Sequence, residues 1–359
     1  MNRILPFVLL LLATHCLAND SIGYLGAGGI EFKKSEDISM EKEILTVSRN
    51  LIRVEYEFLN TTSKPIKETI FFPMPFYGFD FGCSPEHSGK LEEFKVWADG
   101  VKLSPSRTVR ARLKGKDVTF RLHELGFTDE DIAEYRGIEG NCGSDDTPPP
   151  TGIFAKKIDA LVKDGLAENI VNNDRTQFRT VFARALWETA YFYSWEQEFP
   201  PLKRVKVVHE YIPFRGGGVW WYDFRKAEAF KTQWAADVKK FCITDGTIGA
   251  GNKIQIENNV EAFPWNSVQY VLTTGANWAG PIKDFTLNLK KRSKNEIVSL
   301  CFDDGQFKKT DDLTITSHIN GFVPTKDVTA IFFFDPSELR EQKSSDEGAW
   351  MPDYRRTKK

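Results

Sequence analysis

Histidine, cysteine and carboxylate side chains are where chemistry would start, and their spacing in this 359-residue chain narrows it. Beyond residue 18 the histidines are His87, His123, His209 and His318, far apart and none four residues from another beside a carboxylate, so no zinc spacing is present. A Ser-His-Asp site would have to assemble from distant segments, because no Gly-x-Ser-x-Gly elbow marks a nucleophile. The pairs Asp145-Asp146, Asp303-Asp304 and Asp311-Asp312 lack the alternating ligand pattern of a calcium loop and read as solvated turns. Glycosidase chemistry needs two carboxylates about 5–10 Å apart, a distance that sequence separation does not encode. Gly26-Ala27-Gly28-Gly29 is not a phosphate cradle, since no Lys-Ser/Thr and helix follow it. No metal and no cofactor is expected.

The aromatic residues carry the binding expectation instead. Trp220, Trp221 and Tyr222 lie beside three glycines, and Trp265 and Trp278 lie within the stretch FPWNSVQYVLTTGANWAGPIKDFTLNLKKR, residues 263–292. Exposed aromatics on glycine-shaped loops stack on sugars or anchor a partner protein; the competing reading is core packing. Two alternating runs on either side of GANWAGP predict a β-hairpin, with Gly275 and Gly280 free to take φ > 0 and Pro281 fixing the turn that presents Trp278.

These residues need a scaffold, and the N-terminus sets its compartment. Met-Asn-Arg, an apolar run from Ile4 to Ala13 and Cys16-Leu17-Ala18 before Asn19 form the pattern of a cleaved signal peptide, residues 1–18. The run is short for a membrane span, which takes about 20 residues, and His15 before Cys16 is unsuited to a lipidation box. Loss of Arg3 with the leader moves the net charge from −2 to −3. Nothing in that balance suggests nucleic acid or an anionic membrane surface, and no transmembrane segment is expected after cleavage. Cys83, Cys142, Cys242 and Cys301 remain, an even number that favours disulfides in an exported chain. Of the three possible pairings, Cys83–Cys142 with Cys242–Cys301 keeps each bridge within one half of the chain, and the sequence leaves the choice open.

Periodicity predicts a mainly β protein: two antiparallel β-sandwich-like halves, a helical insert, and one further helix packed on the C-terminal half. Aromatics make up 13% of the residues and cluster in alternating runs, which favours strands. Residues 19–125 form the first β domain. Within it Ile52, Val54, Tyr56 and Phe58 share one strand face opposite Arg53, Glu55 and Glu57, and Asp99-Gly100 marks a hairpin. Asn60-Thr61-Thr62 fits a glycosylation sequon. Residues 126–175 form the insert, where Thr128 can cap a helix and Phe154, Ile158, Leu161, Val162 and Leu166 recur at helical spacing. Residues 176–337 form the second β domain: a strand ending at Phe199 with a hairpin partner in RVKVVHEYIPF, then a helix capped by Asp223 with Ala227, Phe230, Trp234, Val238 and Phe241 as its stripe. His209 lies on the apolar face of its strand and reads as a satisfied ring. Residues 338–359 lose the apolar period and read as a flexible tail.

The segments NDSIGYLGAGGIEF, VEYEFLN with FFPMP, VVHEYIP and YVLTTGANWAGPIKDFTLNL together resemble the bacterial exported domain-of-unknown-function family 4424. The resemblance spans nearly all of the chain after the leader, and TTGANWAGPI is its most specific piece. It implies a bacterial envelope or secreted protein and supplies no catalytic residues. More faintly, VEYEFLN, FFPMP and FKVWADGVKL resemble the start of VIT-type β-sandwich domains, without the metal-site adhesion domain that would follow. The sequence is therefore read as a periplasmic or secreted, non-catalytic binding or scaffolding protein whose partner is a glycan or an envelope protein. The rival reading is an envelope hydrolase acting on glycans through carboxylates that sequence does not reveal.

Overall fold

A computed structural model describes residues 20–26, 29–80, 84–85, 94–135, 152–173, 179–217, 221–302 and 306–338. The expected leader, Cys83, Cys142, Trp220, His87, Asp145-Asp146, Asp303-Asp304 and the tail beyond Glu338 lie outside them. In chain order the first strands are β1 (Ser21–Gly26), β2 (Gly29–Lys33), β3 (Ile38–Val47), β4 (Ile52–Asn60), β5 (Ile66–Pro73), β6 (Phe79–Asp80), β7 (Ser84–Pro85), β8 (Lys95–Ala98), β9 (Val101–Leu103), β10 (Ser106–Leu113) and β11 (Lys116–Asp117). Helices α1 (Thr119–Glu124), α2 (Asp129–Ala133) and α3 (Gly152–Lys163) follow, then β12 (Ala167–Asn173), β13 (Arg179–Ala185), β14 (Glu188–Phe199), β15 (Arg204–Tyr211) and β16 (Arg215–Gly216). The remainder is α4 (Ala227–Gln233), α5 (Ala235–Lys240), α6 (Asp245–Glu257), β17 (Trp265–Tyr270), β18 (Ile282–Lys290), β19 (Ile297–Leu300), β20 (Lys308–Lys309), β21 (Thr314–Phe322) and β22 (Val328–Phe333).

The protein is mainly β, as the alternation predicts. Two large sheets face each other: six strands ordered β11-β10-β14-β5-β1-β2 and eight ordered β20-β21-β18-β3-β4-β15-β8-β9. In β4 the predicted face is the inward one, with Ile52, Val54, Tyr56 and Phe58 buried while the intervening Arg53, Glu55 and Glu57 remain partly exposed. β15 repeats the pattern with Val205, Val207, His209 and Tyr211. Ile70, Phe72, Tyr193 and Trp195 from the other sheet join them in one apolar cluster, so the core is the space between the sheets. The turn at Asp99-Gly100 takes φ 47° and 82°, the two positive values of a type I′ hairpin. Thr128 caps α2 in a reciprocal box with Asp131.

A smaller sheet, β16-β17-β22-β19, carries α4, α5 and α6 over a second core of Tyr222, Phe224, Phe230, Phe241, Ile248, Phe263 and Phe333. The Cys242–Cys301 disulfide, with Cα atoms 5.0 Å apart, ties the end of α5 to the segment after β19. Gly251 in α6 sits where a Cβ would come within 2.3 Å of the Phe224 ring, so the helix lies close against that aromatic.

Several expectations are corrected by pairing partners that lie far away in sequence. Strands from 19–125 and from 176–337 share both large sheets: β14 lies between β10 and β5, β15 pairs with β4 and β8, and β18 pairs in parallel with β3. β14 and β15 are not a hairpin, since one belongs to each large sheet. Nor is 263–292 a hairpin, because β17 pairs with β16 and β22 while β18 pairs with β3 and β21. The insert 126–175 holds α2 and α3 but also β12, which pairs with β13. The stripe from Ala227 to Phe241 is broken at Trp234 into α4 and α5, and Asp223 accepts from Arg225 N instead of capping the helix, whose cap position is Lys226.

Candidate functional site

The inward face of the sandwich carries a polar cluster that the aromatic pattern concealed. Asp20, just before β1, and His209 on β15 are both fully buried, with His209 Nε2 3.4 Å from Asp20 Oδ2. The imidazole is boxed by Tyr56, Phe72, Trp195 and Phe94, with ring centroids 5.0–5.4 Å away. Glu43, buried on β3, faces the same region, and the Tyr56 and Tyr270 hydroxyls meet at 2.9 Å beside it. Burial outweighs the attraction between the pair. It drives His209 down to about 3, and it lifts Asp20 well above the ordinary carboxylate range, with Glu43 adding to the rise. Tyr56 and Tyr270 are held well above the phenol range for the same reason. Burial therefore favours the neutral form of each member of the Asp20–His209 pair, and both side chains are closed to solvent. The sequence signal for this cluster was Glu43, which alternates in phase with the buried Leu45 and Val47 and so places a carboxyl on a core-facing position.

Trp278 explains why Asp20 is held there. The indole is 1% exposed, packs on Phe58 at 4.4 Å, and donates from Nε1 to the Asp20 carbonyl at 2.8 Å. The rest of GANWAGP grips the same region: Asn277 Nδ2 donates to Ser21 Oγ, Ser35 N to the Asn277 carbonyl, and Ala279 N to the Ile38 carbonyl. Asp327 Oδ1 closes the other side by accepting from the Leu272 and Thr273 amides and the Thr273 hydroxyl. Gly280 uses positive φ, at 77°, whereas Gly275 does not. Trp278 packs as a plug, in line with the competing packing reading, because its polar edge and its apolar face are both spent inside the fold.

The other aromatic candidates separate. Tyr222 is buried and donates from its hydroxyl to Asp237 Oδ2 at 2.7 Å, so it too belongs to packing. Trp265 is half-buried, 5.8 Å from the Tyr222 ring. Trp221 stays 44% exposed. Trp265 packs against the second core, whereas Trp278 belongs to the core between the two large sheets. Asn60, the sequon residue, is sealed: its Nδ2 donates to the Lys64 and Phe199 carbonyls at 2.8 Å.

Two further features were missed at the level of sequence. Arg49, in the β3–β4 turn, is buried between Glu296 and Glu338 and lies over the Phe334 ring at 3.9 Å. A turn arginine carries no signal of that kind, since its partners lie in the last third of the chain. A surface cavity of about 490 Å³ is lined by Arg112, Leu113, Lys114, Gly165, Leu186 and Glu188, where Glu188 accepts from Arg112 Nε at 2.8 Å. Among the described residues, no group of three or more His, Cys, Asp or Glu is placed to hold a metal ion. Among them, no helix is long and apolar enough to cross a membrane.

A family model described as a domain of unknown function, DUF4424, matches residues 18–331. The chain belongs to the DUF4424 family. The DUF4424 match takes in the Asp20–His209 cluster, the Trp278 loop and both disulfide cysteines of the second core, and it ends within β22, short of Glu338. No curated protein matches the chain. Among solved structures, a candidate nutrient binding protein from Legionella pneumophila subsp. pneumophila str. Philadelphia 1 is similar over 92% of this chain and 78% of that one, at 16% identity and a TM-score of 0.38. A likeness of that size carries no argument about what a DUF4424 protein binds.

Proposed function

We propose that this DUF4424 protein is an exported, non-catalytic binding or scaffolding protein of the bacterial envelope, working in the periplasm or outside the cell. The observation that carries this reading is where the ionisable and aromatic groups lie. The strongly perturbed groups Asp20, Tyr56, His209 and Tyr270 are closed to solvent, whereas Trp221 keeps 44% of its surface exposed beside a glycine-rich loop. A perturbed acid marks an active site only when it lines a cleft. The Cys242–Cys301 bridge supports an oxidising compartment. The partner class is a glycan or an envelope protein, with Trp221 as the stacking or anchoring ring.

Glycan-array binding by the purified protein and by Trp221→Ala tests the reading. Loss of a specific signal in the variant is the expected result, because truncating an aromatic anchor removes ~2 kcal/mol or more of binding energy. Equal binding by both proteins removes Trp221 as the anchor, and turnover of any arrayed glycan removes the non-catalytic assignment.

A further inference from the structure

Asp20 and His209 join the two ends of one structural problem. Asp20 leads into β1, which reaches the six-stranded sheet through the register Ser21↔Phe71 and Ile22↔Ile70, and His209 sits on the facing sheet. Docking β1 therefore buries a carboxyl against an imidazole, 3.4 Å apart and without solvent exposure. Unfolding returns both groups to water together. We propose that Asp20 and His209 act as a proton-compensating pair, each cancelling the other's pH dependence, so that burying the pair adds no net pH dependence to folding across the mildly acidic range.

The proton count follows from the two environments. In the fold His209 is neutral down to about 3, while exposed histidine takes up a proton below about 6.5; alone, it would favour the open chain as pH falls. Folded Asp20 keeps its proton above the ordinary 3.8, while exposed aspartate releases one; alone, it would favour the open chain as pH rises. Between those two ordinary values the opened pair loses the Asp20 proton to solvent and gains one from solvent on His209. The number of bound protons is then unchanged, and the slope of stability against pH from this pair is zero.

The remaining groups facing the pair do not alter the sign of this difference. Glu43 comes from β3, Tyr56 from β4, Tyr211 from β15 and Tyr270 from β17, while Phe72, Phe94 and Trp195 do not titrate. The three tyrosines stay protonated throughout the range because burial holds them above the phenol value. Glu43 is common to wild type and to both variants below.

Urea unfolding of wild type, Asp20→Asn and His209→Phe between pH 4.5 and 6.5 reads the pair directly. Relative to wild type, the folding constant of Asp20→Asn is expected to fall about tenfold for each pH unit of acidification, and that of His209→Phe about tenfold for each unit of alkalinisation. Difference curves that are both flat, or that slope the same way, overturn the proposal. Nitrogen-15 NMR of the wild-type imidazole decides the matter even where a variant does not fold. His209 without a titration above pH 4 is the expected result, and an inflection near 6.5 overturns it.

Discussion

Arg49 Nε lies 2.6 Å from Glu296 Oε1, with both side chains sealed from water, although 247 residues separate them in the chain. Glu338 completes the arrangement on the other guanidinium nitrogen, and Arg292 N donates to Glu296. Burial nonetheless holds the Glu296 carboxyl above its ordinary range, so the arginine only partly offsets the loss of water. Removing it leaves two carboxylates facing each other. Arg49→Met is expected to lower stability by about 3–5 kcal/mol in urea unfolding, and the double variant Arg49→Met/Glu296→Gln by less than the sum of its single changes.

Trp278→Phe keeps most of the ring and loses the donor to Asp20. An unsatisfied buried carbonyl together with the missing volume costs about 1–3 kcal/mol. Hydrogen exchange should show the loss concentrated in β1 and in the 273–280 loop, and a loss spread evenly over both sheets would count against a plug.

The disulfide closes a segment of 59 residues that contains α6 and β17. Reduction, or Cys242→Ser with Cys301→Ser, is expected to lower stability by about 2–4 kcal/mol. The loss should appear in the helical circular-dichroism signal, because α4, α5 and α6 sit on the sheet that the bridge holds.

Gly251→Ala asks whether the close approach of α6 to Phe224 is required. The new methyl group meets the ring at 2.3 Å, so overpacking should outweigh the better helix propensity of alanine and destabilise the protein by about 1–3 kcal/mol. A thermal midpoint equal to or above that of wild type would show that Phe224 can swing aside.

Trp221→Ala should leave the unfolding free energy from urea titration within about 0.5 kcal/mol of wild type, since the ring is exposed. Any loss of ligand binding in that variant then reports the surface itself.

Local rules were readable wherever their cause was local. Ile52, Val54, Tyr56 and Phe58 announce β4 because a strand face repeats every second residue, Asp99-Gly100 announces its turn through positive φ, and Thr128 announces α2 through its oxygen. The Cys242–Cys301 bridge, one of the pairings the sequence left open, is present. α6 was invisible for a physical reason: its buried positions are Ile248, Gly251 and Gln255, so the inward face is small and polar. Gln255 is satisfied there by accepting from Phe224 N and donating to the Glu261 carbonyl. The false hairpin at 263–292 arose because alternation identifies a strand without naming its partner. The same limit concealed the Asp20–His209 pair, whose members meet only when the two sheets close.

The parallel pairing of β3 with β18 sets the order in which the molecule can be finished. Thr46 and Asn288 touch across it although they are 242 residues apart. While the chain emerges from its N-terminus, the β3–β4 hairpin can form early, yet one edge of β3 stays open until most of the protein has been made. An open apolar edge is a template for pairing with the wrong chain. Until β18 is in place, that edge of β3 has no partner from its own sheet on this side, so closing the sandwich is also what removes the template.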